Sequence, residues 1–126
     1  MSVRRYSSIS IATSLAGGGI SNSATSMTVV TGTGAALMGG ITLTAGDQFT
    51  VALDVDTASE EIVFITVQSV DTFTITRGRA GTTAVAHASG AAVKHVLTSD
   101  DLNYFNQAIQ STTPPGSTPT IDGGTP

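Results

Sequence analysis

The sequence predicts a mainly β protein, a single antiparallel β-sandwich or barrel-like domain with one short C-terminal helix and extended termini. Three observations carry this expectation. Two stretches, DQFTVALDVD from Asp47 and EIVFITVQ from Glu61, alternate apolar and polar residues or run almost continuously β-branched and aromatic. Thr, Ser and Gly fill polar positions in a chain of 126 residues of which only 11% are charged, a bias toward strands and turns. Helical spacing comes late, where Leu102, Phe105 and Ile109 follow Thr98-Ser99-Asp100-Asp101.

The first element is weak. Val3, Ile9, Ile11 and Leu15 are separated by Ser and Thr, so residues 1–19 read as an N-terminal arm or edge strand that ends at Gly17, Gly18 and Gly19. From Ile20 a turn leads into a strand in which Met27 and Val29 face one side and Thr28 and Val30 the other, a pattern that allows burial on both sides. Gly32 to Gly40 is glycine-rich around Ala35, Ala36, Leu37 and Met38, and is expected to be a loop carrying an apolar plug, with room for a helical turn.

The middle of the chain is stronger. Phe49, Val51 and Leu53 share one face of a strand, with Gln48, Thr50 and Ala52 on the other. Glu61 to Gln68 is expected to be covered on both faces, whereas Asp71 to Arg77 alternates Thr with Phe73 and Ile75 and should be half exposed. Ser69-Val70-Asp71 has hairpin length, so these two strands pair antiparallel. Gly78 to Gly90 reads as a loop, and Ala91 to Leu97 as a further strand with Val93 on one face, which His95 can share.

Thr98 or Ser99 can accept a hydrogen bond from a free first-turn amide, and the two aspartates favour the positive end of a helix, predicted over about residues 98–110. The β-rich domain with this helix spans 20–111. Residues 112–126, with four prolines, form an extended Pro/Gly-rich tail of a composition that acquires order along a partner.

Composition bounds the function. A formal charge of −4 with five basic residues gives no attraction for a nucleic-acid backbone, and no segment reaches the length of a membrane span or of a signal peptide's apolar core. The absence of cysteine removes disulfides and thiolate metal sites.

Four groups of residues invite a chemical reading. Asp54, Asp56, Glu60 and Glu61 could offer oxygens to a hard cation, but glycine is missing from the sixth position of a calcium loop and Ile65 stands at the twelfth, so a solvated acidic hairpin loop is expected. His87 and His95 have no nucleophile or carboxylate placed beside them in sequence. His87 is expected to be a polar loop residue and His95 a partly buried strand residue bonded to a neighbour.

TRGRAGTT, from Thr76, lacks the lysine and following helix of a phosphate loop. Gly78 and Gly81 read as turn residues needing positive φ, and the arginines as ion-pair partners of the Asp54–Glu61 acids. Arg4, Arg5 and Tyr6 suit an arm that reaches a neighbouring subunit, since Arg pairs bidentately and Tyr adds contact area at low entropic cost. No catalytic, cofactor or metal residue is assigned.

ISNSATSMTVVTGTG from Ile20 and EEIVFITVQSVDTFTITRGRAGTTAVAHASGAAVKHVLTSDDLN from Glu60 together resemble a small β module of structural proteins in tailed bacteriophages, found in short virion proteins and near the start of tail-fibre proteins. The likeness covers residues 20–105 and is most specific over Arg77–His87 and His95–Leu102. It implies a noncatalytic virion protein with no cofactor.

Because no repetitive shaft follows Leu102, a capsid decoration or accessory protein is expected. The alternatives are a neck, tail or fibre adaptor and a host- or carbohydrate-binding module. Its partners would be the major capsid protein or neck and tail proteins, together with further copies of itself, in a virion assembled in the host cytoplasm. Nucleic acid and membrane are not expected partners. The expected contact residues are Arg4, Arg5, Tyr6, Leu102, Phe105, Ile109, Pro114, Pro115 and Ile121.

Overall fold

The computed structural model describes residues 3–99, 101–104 and 106, and is mainly β. Two compact units divide the chain, Met1–Val96 and Leu97–Pro126. The first is a curled, largely antiparallel sheet of seven strands: β1 (Val3–Arg5), β2 (Thr13–Ser14), β3 (Ser26–Thr28), β4 (Asp47–Leu53), β5 (Glu61–Ser69), β6 (Thr72–Arg79) and β7 (Ala92–His95). A five-residue helix, α1 (Gly34–Met38), lies between β3 and β4.

The strand order is β2-β7-β4-β5-β6-β3, and β1 joins β4 in parallel, taking the Asp47–Phe49 half of an edge whose Val51–Leu53 half is paired with β7. The two ends of this path meet. Leu15 and Val29 form an antiparallel bridge, the Ala16 N–H donates to the Thr28 carbonyl and the Val30 N–H to the Ser14 carbonyl. These bonds leave little open edge on the short strands β2 and β3, which is how a curled sheet avoids pairing with other chains.

One face of the sheet carries the core. Phe49, Val51, Leu53, Val63, Ile65, Phe73, Ile75 and Val93 project there by the period of two and pack with Leu15, Met27 and Val29. Leu37 and Met38 of α1 complete the cluster, so the glycine-rich segment is the apolar plug that its composition predicts, wound into a helix. Gly39 ends α1 with φ +57, and its N–H returns to the Ala35 and Ala36 carbonyls.

Phe64 lies on the opposite face, buried with the Arg4 guanidinium 4.8 Å and that of Arg79 5.3 Å from its ring centroid.

Several expectations change here. Within the stretch expected to be an arm or edge strand, β1 and β2 obtain their ladder bonds from β4 and β7, partners remote in sequence. The strand at Met27 is covered on one side only, with Val30 exposed. β5 is covered on both faces through Ile65 and then opens, leaving Val67 exposed beyond a register shift between Ile65 and Val67. The β5–β6 hairpin turns at Val70 and Asp71, and β6 is half exposed as expected.

In the second unit residues 99, 101–104 and 106 are helical. Thr98 caps them: the Asp101 N–H donates to its Oγ1 at 3.1 Å, while the Thr98 N–H donates back to Asp101 Oδ2 at 3.0 Å, the reciprocal arrangement of a capping box. The helical residues belong to the unit Leu97–Pro126. Phe105, Ile109, Pro114, Pro115, Ile121 and the tail lie outside the described residues.

Candidate functional site

The densest polar chemistry lies at the end of the β5–β6 hairpin away from its turn. Glu61 opens β5 and shares the inward face of Val63 and Ile65, while Arg77 follows Phe73 and Ile75 on the inward face of β6. Alternation therefore aims an acid and a base into the same interior. A register shift between Ile62 and Phe64 accommodates Gly78 at φ +59, and its N–H turns toward Glu61.

The pair is bidentate: Arg77 Nε donates to Glu61 Oε2 at 2.8 Å and Nη2 to Oε1 at 2.9 Å. Arg77 spends its other N–H groups on carbonyls, Nη1 on Ser21 (2.7 Å) and Ala24 (2.8 Å) and Nη2 on Val85 (2.6 Å). All five donors of the guanidinium are used, so one side chain ties β6 to the 21–24 turn and the 82–87 loop.

Glu61 is closed off from solvent and accepts further bonds from the Gly78 N–H (2.9 Å) and the Val85 N–H (3.1 Å). Burial alone would raise its carboxyl. The hydrogen bonds from Arg77, His87, Gly78 and Val85 outweigh burial and bring it from its ordinary 4.5 down to about 2.

His87 completes the group. Its side chain is fully buried, with Nε2 2.9 Å from Glu61 Oε1 and Nδ1 2.7 Å from Asp54 Oδ2. The imidazole is placed by backbone bonds, the Ile20 and His87 amides each donating to the other's carbonyl. Gly19 makes this approach possible: at φ +76, a Cβ there would lie 2.1 Å from the His87 carbonyl oxygen.

The structure thus corrects two expectations. His87 is a core residue and not a polar loop residue, and Glu61 belongs to the interior and not to a solvated acidic loop. Asp54 leaves that loop for His87, whereas Glu60 accepts from the Asp56 N–H, so the four acids do not converge. Among the described residues no cluster of His, Asp and Glu has the arrangement of a metal site.

His95 is the partly buried strand residue expected. It stacks on Phe49 with centroids 4.0 Å apart, its Nδ1 lies 2.6 Å from the Thr50 carbonyl, and its Nε2 accepts from the Ser7 N–H at 3.2 Å. Gly78 and Gly81 both have positive φ, as predicted.

Arg4, Arg5 and Tyr6 lie against their own chain. Arg5 Nη1 donates to Asp47 Oδ2 at 3.0 Å, Arg4 covers Phe64, and Tyr6 sits beside His95 with ring centroids 6.4 Å apart. Asp47 is held below its usual range chiefly by the Thr44 amide, against the opposing effect of burial, with the Thr44 hydroxyl and Arg5 adding to the lowering.

At the hairpin's other end, apolar side chains gather around α1. The Ile11 N–H donates to the Ala36 carbonyl, Thr33 bonds the Val30 carbonyl, and the Val70 carbonyl lies where a Cβ on Gly34 would sit. Ile11, Val30 and Val70 are exposed around the plug, with Val70 at 77%, and Leu102 is exposed in the second unit. No helix among the described residues is long and apolar enough to cross a membrane. No family model and no curated protein matches the chain.

Proposed function

We propose that this chain is a noncatalytic structural protein of a tailed bacteriophage virion, a decoration protein that stabilises the particle by covering surface between subunits. The observation that carries the reading is a coincidence of segments. Arg77 to His87, where the resemblance to phage structural modules is most specific, is also the stretch that fastens the fold: Arg77 through five bonds, Val85 through Glu61, His87 through two carboxylates. A motif spent on internal bonds has its value in the scaffold it makes.

A histidine with both nitrogens engaged and no hydroxyl or thiol nucleophile bonded to it also fits a scaffold better than an acid–base centre. The contact area would include the exposed Ile11, Val30 and Val70 around α1. The test is the composition of purified particles from the phage that encodes the chain, by quantitative mass spectrometry, with its density located in particle images. The expected result is a fixed multiple of the shell's symmetry. Particles that lack the chain would overturn the reading.

A further inference from the structure

We propose that the contact between His87 Nδ1 and Asp54 Oδ2 is a proton-operated latch that holds the 54–60 turn against the 82–90 loop and releases it as pH rises. Every other partner of Glu61 is an N–H, from Arg77, Gly78 and Val85, so its oxygens act only as acceptors. His87 Nε2, 2.9 Å from Oε1, must therefore carry hydrogen and donate.

That assignment leaves Nδ1 as the variable position. At 2.7 Å from Asp54 Oδ2 a proton must lie between the two atoms. Without it, an imidazole lone pair would face a carboxylate oxygen at contact distance, which is repulsive. The charged side chains in contact with His87 among the described residues are Asp54, from the end of β4, and Glu61, from β5, with Arg77 of β6 behind Glu61. Ile20, on the remaining side, offers backbone only.

Asp54 is the member able to leave. Its side chain is 26% exposed where those of His87 and Glu61 are closed off, and its backbone stands at φ +53, a strained region for a residue with a Cβ. Loss of the shared proton sends the Asp54 carboxylate toward water and loosens a turn then held by the bond from the Asp54 N–H to the Ala92 carbonyl, by those from Thr57 and Glu60 to the Asp54 and Thr57 carbonyls, and by the Asp56 N–H on Glu60. Glu61, Arg77 and the core stay in place.

The test is nitrogen-detected spectroscopy of the imidazoles in the whole chain, with amide exchange followed as pH is raised from about pH 5 to about pH 9. The expected result is that His87 Nε2 keeps its proton throughout while Nδ1 loses its own. Over the same interval the Thr57 and Glu60 amides should gain about tenfold in exchange beyond the intrinsic base-catalysed rise, the scale of one lost charged hydrogen bond. In Asp54→Asn the amide can donate to the bare Nδ1, so the extra exchange should vanish. Loss of the proton from Nε2 in place of Nδ1, unchanged protection of the turn, or the same extra exchange in Asp54→Asn would each overturn the latch.

Discussion

At one end of the β5–β6 hairpin, Glu61 and Arg77 lie among His87, Asp54 and the carbonyls of three loop residues; at the other, Val70 and Asp71 hold α1, which seals the sheet with Leu37 and Met38. Both ends close the same core, by opposite chemistry. The plug needs apolar volume, and many side chains can supply it. The charged end needs every partner, since each buried ion there is tolerated only because its bonds are complete. The difference explains why a chain with so few charged residues sets three of them, with a histidine, in one place.

Removing one buried partner should break the comparison most sharply. Arg77→Met leaves Glu61 closed off from water without its guanidinium, and should cost about 3–5 kcal/mol in urea unfolding. Adding Glu61→Met should recover part of that loss, because the carboxylate is no longer stranded, while the Gly78, Val85 and His87 N–H groups that it accepted from stay unpaired. If the double variant were no more stable than the single, packing and not charge pairing would govern this end.

Acid probes the same group without mutation. The folded Glu61 carboxyl sits at about 2 against 4.5 in its ordinary state, so its contribution is fully present above pH 4.5 and disappears as pH falls toward 2. The loss should be about 3 kcal/mol, read as falling stability in that window, and Glu61→Gln should flatten it.

At the plug end Leu37→Ala should cost about 2–3 kcal/mol, the price of a core cavity that α1 can partly close by settling. Smallest of all is Asp71→Ala. Its carboxylate accepts the Gly32 N–H at 3.1 Å and the Gly34 N–H at 2.9 Å, bonds that hold it below its ordinary 3.8 and cap α1 from across the hairpin. The midpoint of thermal unfolding should fall, by less than for Leu37→Ala, and the drop should be absent at a pH low enough to protonate Asp71 in the parent protein.

Much of this architecture is legible in the residues themselves. The alternation of Phe49, Val51 and Leu53, and of Phe73 and Ile75, is a local property, and the strands follow it. Arg77 and Glu61 continue the inward alternation of their own strands, so their pairing is readable, and so in principle was their burial. His87 carries no such mark. Its burial arises from a bridge to Ile20, 67 positions away by number, across a glycine that admits the backbone. β1 escapes local reading for the same reason, since three residues become a strand only because β4 offers an edge.

Native-state hydrogen exchange at the Gly78 and Val85 amides, both bound to Glu61, tests most directly the claim that the charged group is a fastener of the fold. The account predicts that they exchange only through global unfolding, with the free energy of the slowest amides in β4 and β5. Exchange through a local opening of much lower free energy, with the core still protected, would contradict it and place these residues outside the cooperative unit.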